Sequence, residues 1–450
     1  MVSWTFLSAA PSRIEMTAEL QRATRARYWV IVFAVTLAVI QYIDRVCISK
    51  AMPAIQRDLH FSNVQAGYVF GAFTLAYALF EIPTGWLGDR FGPRKVLLRV
   101  VIWWSFFTAA TSRAGTALSM MIVRFLFGAG EAGCFPNITK AFSTWLPQDE
   151  RVRAQSVLWL AARWGGAATP LLVVAVLGLV SSWRRAFELF GALGLVWAFF
   201  FHRWFRDNPH EHPSVNDAEK KLLTGVENLA SRHAKVPWAV FFGSLSAWLL
   251  WVQYACLSYV WYFYVTWFPT YLDGTHGRNL GPVTLAVLAG LPLFGGGFGS
   301  LISGFCANGL ARRIGGMGRA RKALAAFGFA AAAACLLASN SATGNPLRLA
   351  LLIGLAGLFN DFVLPCAWGT CMDVGGRFAG TFSGAMNMMG NLGGFIAPIA
   401  TGYILDITGS WNLVFSISSG VYLLGALSWA VIDPVTPLDR RPDGPAVQPA

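Results

Sequence analysis

Apolar residues in this chain run in long, nearly unbroken blocks, and short polar stretches carrying Gly, Pro or Arg separate them. About twelve blocks are legible: residues 28–51, 64–87, 97–111, 117–142, 156–179 and 186–205, then 241–272, 283–310, 323–338, 349–372, 380–405 and 414–432. A spanning helix takes ~20 apolar residues, and a backbone in lipid must satisfy its own polar groups, which a helix does. The pattern predicts an all-α membrane protein with twelve transmembrane helices in two six-helix bundles, 28–205 and 237–433. A leader at 1–27, a polar linker at 206–236 and a tail at 434–450 complete the chain.

Composition agrees with lipid as part of the solvent, because 55% of the 450 residues are hydrophobic and 13% charged, too few polar groups to coat a soluble fold. A formal charge of +13 suggests nucleic acid in a soluble protein, but here the distribution decides. Basic residues collect in alternate loops: Arg22, Arg25 and Arg27 before the first block, Arg90, Arg94 and Lys95 after the second, Arg151 and Arg153 after the fourth. Arg203, Arg206, Lys220 and Lys221 follow the sixth, and Arg312, Arg313, Arg319, Arg321 and Lys322 follow the eighth. The positive-inside rule therefore places the linker and both termini in the cytoplasm, with the chain in the cell (inner) membrane and no nucleic-acid partner. The leader lacks the core and cleavage site of a secretory signal, and Met16 is an alternative start. The cysteines lie in or beside apolar blocks without metal-ligand spacing and read as packing residues. With no phosphate-binding glycine loop, metal cluster or nucleophile paired to a base, neither an enzyme nor a cofactor nor a metal is expected.

The halves echo each other. Gly85, Trp86, Leu87, Gly88, Asp89 and Arg90, with Arg94 and Lys95, end the second block; Gly304, Phe305, Cys306, Ala307 and Asn308, with Arg312 and Arg313, end the eighth. Trp183, Arg184 and Phe187 open the sixth block, while Trp411, Asn412 and Phe415 open the twelfth. Such duplication in a transporter puts the substrate site between the halves near mid-membrane. The stretch 85–95 (GWLGDRFGPRK) resembles the loop signature of the major facilitator superfamily, with Asn308 replacing the acidic residue in the second copy. The set Tyr42, Ile43, Asp44 and Arg45, then 124–136 (RFLFGAGEAGCFP), Trp145, Leu146 and Pro147 with Glu150 and Arg151, 266–272 (TWFPTYL) and 383–398 (SGAMNMMGNLGGFIAP), resembles its anion:cation symporter family.

A charge at the centre of a spanning helix costs ~2.5–3.5 kcal/mol on insertion scales, so each needs a partner, a wet cavity or a task. The candidates are Asp44, Arg45, Glu81, Arg99, Arg124, Glu131, Arg163 and Asp361. Arg99 stands near a block end and can snorkel. Glu81 is expected to pair with loop arginines. Asp44 and Arg45 point about 100° apart and need separate partners. The depth of Arg124 on the fourth block permits an ion pair with Asp44. Arg124 and Glu131, seven residues apart, share a face ~10 Å apart along the axis. Gly128, Gly130 and Gly133 favour close packing there, and Pro136 a bend. Arg163 is a further candidate anion clamp, with Asp361 a partner for it or for another cation.

The resemblance implies a major facilitator fold and proton-coupled symport of a small organic anion, such as an aldonate, aldarate or hexuronate. It assigns coupling and anion binding to Asp44, Arg45, Arg124 and Glu131, and lining of the site to Tyr42, Tyr77, Trp368 and Asn387. Asn391 is a buried amide that demands partners. Gly85, Asp89, Arg90 and Arg94 form the expected gate, with Asp89 accepting hydrogen bonds from loop arginines and a neighbouring helix N-terminus. Organophosphate/phosphate exchange is the rival transport reading, weakened because 241–272 has no Lys or Arg. A non-transporting sensor is the rival from another class, and no sizeable domain is present to signal. A monomer is expected.

Overall fold

The computed structural model describes residues 23–60, 63–223, 236–268, 271–272, 280 and 282–438. Residues 1–22 of the leader with Met16, 224–235 of the linker, 269–270 of the 266–272 motif and 439–450 of the tail lie outside the described residues.

The first half holds α1 (Arg27–Leu59), α2 (Asn63–Phe91), α3 (Pro93–Thr111), α4 (Ala117–Glu131), α5 (Cys134–Trp145), α6 (Gln148–Val180) and α7 (Trp183–Trp204). In the linker lie a 3-10 turn (Pro209–Glu211) and α8 (Asp217–Leu222). After α9 (Trp238–Gly243), the second half holds α10 (Leu245–Thr266), α11 (Pro282–Ile314), α12 (Met317–Ser339), α13 (Pro346–Gly375), α14 (Ala379–Thr408) and α15 (Trp411–Val431). Seven stretches of these helices are long and apolar enough to cross a membrane. The outer faces of the helices carry Phe106, Phe199, Ile407 and Leu427, each at least 60% exposed, an apolar surface that suits lipid rather than water.

Block boundaries read from the sequence move where local chemistry decides. The third helix begins at Pro93 rather than 97, because Pro at the first position needs no N–H partner. The expected bend in the fourth block is a full break. α4 stops at Glu131 and α5 starts at Cys134. Asn137 Nδ2 donates to the carbonyls of Gly133 at 2.7 Å and Thr84 at 3.1 Å, tying the start of α5 to α2. Pro136 falls in the first turn of α5, where no intrahelical bond is lost.

Packing repeats between the halves. α1 lies on α6 and α7 as α10 lies on α14 and α15; α2 lies on α4 as α11 on α13; α3 lies on α7 as α12 on α15. Two main crossings join the halves, α2 with α14 and α6 with α11, and they exchange under the same duplication. Both are lined with small residues. A Cβ at Gly85 would run into the Gly380 carbonyl, and one at Gly304 into Ser156. Small residues let backbones approach, and close packing is what binds helices where lipid supplies no hydrophobic drive.

The linker is strapped to the first half. Fully buried Glu219 on α8 accepts from Thr24 Oγ1, the Ala26 and Arg27 amides and Arg27 Nη1, and Arg27 also pairs with Glu150 at 2.8 Å. Asp207 accepts from the Arg94 amide at 2.8 Å.

At the arginine-rich end the halves are sealed. Asp89 Oδ1 accepts from the Gly380 amide at 3.1 Å, while Oδ2 accepts from the Thr381 amide and hydroxyl, each at 2.6 Å. These amides are among the free donors at the α14 N-terminus, where a carboxylate is favoured by the helix dipole. Lys140 Nζ lies 3.5 Å from Asp89 and donates to the Arg377 carbonyl at 2.5 Å. Beside it, Asp373 bridges Gln148 and Arg151 of the first half and Arg321 of the second. Asp89→Asn removes the charge and one acceptor from this seal. In a background cleared of native cysteines, Ser383→Cys, buried behind Asp89, should then react with a thiol reagent supplied from the basic end several-fold faster than with Asp89 intact. An unchanged rate would mean that Asp89 does not hold the seal.

Candidate functional site

Above this seal the first half presents Arg45 toward the second. Its Nε donates to Glu131 Oε1 at 3.0 Å, where the end of α4 leaves Glu131 fully buried at mid-depth. The Arg45 guanidinium carbon lies 4.5 Å from the Tyr77 ring centre, 5.0 Å from Phe73 and 5.7 Å from Tyr42. This aromatic collar fixes the charge while Nη2 has no protein partner. The Arg45 side chain retains 26% exposure, against 0% for Glu131. A planar fork with a free donor is suited to a carboxylate oxygen.

Arg124 does not form the expected ion pair with Asp44. Its guanidinium carbon sits 4.0 Å from the Phe127 ring centre and 5.4 Å from Phe73, and Nη1 has no partner. Those rings hold the cation on the α2 side, and both Asp44 oxygens, fully buried, have no hydrogen-bond partner. Gln41, one turn before Asp44, also leaves both amide atoms unpartnered, as does Glu131 Oε2. Glu131 lies beside Gln41 and Asp44. Several buried polar atoms without a protein partner at hydrogen-bond geometry thus gather around Asp44 and Glu131, and such groups in a core call for an explanation.

Across the seam, Glu81 accepts from Asn387 Nδ2 and, at 3.2 Å, from Asn391 Nδ2. The expected pairing of Glu81 with loop arginines is therefore corrected. Tyr77, Glu81, Gly85 and Asp89 recur every fourth residue on the one face of α2 that meets α14. The arginines lie elsewhere: Arg90 is exposed over the Trp86 ring at 5.1 Å, and Arg94 Nη2 donates to the His202 carbonyl at 2.6 Å. Of the four expected gate residues, Gly85 and Asp89 stand at the closure, while Arg90 and Arg94 face away from it. Arg163 pairs with Asp361 of α13 at 2.7 Å, one of the two partnerships left open by the sequence. Trp368 is fully buried, donates to the Tyr254 hydroxyl at 3.0 Å and packs with Phe135 and Trp159 of the first half. It lies two turns from Asp361 toward the basic end, as a floor between the site and the seal. Tyr42 is half-buried beside Arg45.

Lys140, Arg151, Asp373 and Arg321 were not singled out as site residues from the sequence. The signal was present in Lys140 and Asp373, charges inside or at the edge of apolar blocks, the same criterion that identified Asp44 and Glu131. Among the described residues, no cluster of three or more His, Cys, Asp or Glu side chains is arranged to hold a metal ion.

The family model of the Major Facilitator Superfamily matches residues 34–398. The chain is 33% identical to a protein named as a probable sulfoacetate transporter of Cupriavidus necator, over 93% of this chain and 97% of that one. It is 30% identical to a probable galactarate/D-glucarate transporter of Escherichia coli, over 95% and 96%, and 28% identical to a hexuronate transporter of Bacillus subtilis, over 92% and 96%. Among solved structures, the proton:xylose symporter XylE superposes with a TM-score of 0.70 at 13% identity, covering 92% of this chain and 98% of that one. That likeness speaks to fold alone. Family match, relatives and fold agree, and the chain belongs to the Major Facilitator Superfamily, matching its anion:cation symporter-like branch, as a multi-pass membrane transporter rather than an enzyme.

Proposed function

We propose that this transporter is a monomeric proton-coupled symporter of a small organic anion, such as a sugar acid, in the inner membrane with both termini cytoplasmic. The observation that carries the reading is Arg45, a collared guanidinium that faces the second half, salt-bridged on one side and free at Nη2. The named substrates of the relatives, sulfoacetate, galactarate, glucarate and hexuronate, are small anions of the kind such a fork binds. Arg124 adds positive potential from the side away from the seal; Tyr42, Tyr77, Asn387, Trp368 and Arg163 shape the walls. Gly85 and Asp89 close the cytoplasmic end, with Arg90 and Arg94 bracing the loop around them.

Coupling follows from competition for Arg45. An arriving carboxylate and Glu131 are both anions seeking the same guanidinium, and two anions in a low-dielectric site repel. A proton on Glu131 removes that repulsion, so binding and protonation favour each other. Asp44, buried next to Glu131 and near Arg124, is the second carrier. The loaded carrier reorients, Asp89 and Asp373 release their partners, and substrate and protons leave toward the cytoplasm. External acidity therefore drives uptake.

Arg45→Lys keeps the charge and loses the fork. Substrate affinity, read by isothermal titration or thermal shift, should fall by about tenfold or more; wild-type affinity would remove Arg45 from the site. Glu131→Gln mimics the protonated acid. In vesicles it should retain exchange of internal for external substrate and lose accumulation driven by a pH gradient, because the empty carrier cannot release a proton. Wild-type accumulation in that variant would transfer coupling to Asp44. For topology, a cysteine at Ser231 should react only with membrane-permeant thiol reagents in intact cells; labelling by an impermeant one would invert the orientation.

A further inference from the structure

Asp361 takes no part in the cycle above, yet it anchors a charged contact between the halves. Arg163 projects from α6, and its Nε donates to Asp361 Oδ2 at 2.7 Å and Nη2 to Oδ1 at 3.2 Å. The guanidinium carbon lies 3.3 Å from the Trp261 ring centre on α10 and 5.7 Å from Trp159. Asp361 is fully buried, and its Oδ1 also accepts from Asn360 Nδ2 at 2.8 Å. Asn360 Oδ1 accepts from the Tyr422 hydroxyl at 2.8 Å, and that hydroxyl lies 3.0 Å from the Tyr264 hydroxyl. Behind the carboxylate, Gly296 of α11 leaves room that a Cβ, 2.7 Å from Oδ2, would take.

Toward the site, the Tyr42 ring stands between this pair and Arg45. A Cβ on Gly166, one turn along α6 from Arg163, would lie 2.8 Å from that ring, and Arg45 lies 5.7 Å from its centre. Tyr42 thus meets Arg45 on one side and α6, one turn from Arg163, on the other. Each guanidinium is already occupied on one edge by an internal carboxylate, Glu131 for Arg45 and Asp361 for Arg163. Trp261 holds the Arg163 plane whether or not a carboxylate is present, so the anion on its edge can be exchanged without losing the cation's position. A lock with no other role would gain nothing from charge, since apolar residues of similar volume bind helices at lower desolvation cost.

We propose that Asp361 is an internal stand-in for a second acidic group of the substrate: a short dianion places one acid on Arg45 and the other on Arg163, and Asp361 then takes a proton. The inference rests on the reading of Arg45 as the anion site and extends it to a substrate class. No covalent bond of the substrate changes; the displaced carboxylate binds one proton from the side to which the site is open. The titratable groups facing Asp361 are Arg163 from α6, Tyr264 from α10 and Tyr422 from α15, with Cys335 of α12 beside the two tyrosines, and α11 faces it with Gly296. Only Arg163 among them supplies a cation, so its loss leaves a proton as the means of neutralising Asp361.

The test is proton uptake by purified protein in weakly buffered detergent, followed with a pH-indicating dye as ligand is added. The probes are two dianions, sulfoacetate and D-glucarate, and one monoanion, D-galactonate. At least one dianion should bind about tenfold more tightly than galactonate and take up about one more proton per ligand. Asp361→Asn should remove the extra proton. Arg163→Gln should remove the preference for the dianion. The double variant, which leaves neither charge buried alone, should show neither property, and a cooperative melting transition would establish that it is folded. The proposal is overturned if neither dianion exceeds galactonate in affinity and proton uptake, or if Asp361→Asn or the folded double variant retains the extra proton. If none of the three anions binds the wild-type protein, the anion-site reading itself fails.

Discussion

The structure depends on one constraint: a polar group withdrawn from water into an apolar interior must find a partner in the protein, and here many of those partners belong to the other half of the chain. Glu81 is satisfied by Asn387 and Asn391, Asp89 by the start of α14, Arg163 by Asp361, and Arg151 by Asp373. Removing one member of a buried charged pair costs ~3–5 kcal/mol because the other is left uncompensated. The halves can therefore separate at these points only as water or another ligand reaches them. The small-residue crossings add the complementary requirement, since polar side chains meet across the seam only where the backbones are close enough.

These contacts are arranged by depth. The seal at the basic end consists of neutral donors, charges near helix termini and Lys140 from the middle of α5, groups that water can serve once the ends part. Arg45, Glu131, Asp44 and Gln41 lie deeper, and their unpaired atoms are confined to the first half. The second half contributes amides, tyrosines and Trp368 toward the same space. One half thus concentrates the buried charges at mid-depth, while the other contributes polar walls and the counter-surface that closes over them.

The helices were legible because lipid imposes a coarse, strong signal: a run of apolar residues long enough to span. The linker, the duplication and the four charges Asp44, Arg45, Arg124 and Glu131 were legible for the same reason, as exceptions to that signal. Pairing was not. Arg124 turns onto Phe127 and Phe73 rather than to Asp44, a choice set by ring positions on α2 and α4 that helix spacing does not encode. Glu81 turns to α14 because a four-residue stripe faces that helix, and the stripe has meaning only once the two halves are docked. The break after Glu131 exceeds the bend read from Pro136, and the Asn137 side chain that ties the start of α5 to α2 is a contact in space that helix spacing does not encode. Lys140 and Asp373 carry the same signal, but the loop charges beside them mask it in the sequence.

The break between α4 and α5 also sets where electrical work is done. Glu131 and Arg45 lie near mid-depth, ~20 Å of helix from either end of the α4–α5 pair, whereas Asp89 and Asp373 lie at the rim. An ion travelling from one side to mid-depth crosses about half of the transmembrane potential, ~1 kcal/mol per elementary charge at 100 mV. Loading and release of any charge that reaches Arg45 or Glu131 each draw on that voltage drop. The seal at the rim opens and closes almost outside the field, so voltage acts on the occupancy of this protein's centre and leaves the door at its basic end to chemistry alone.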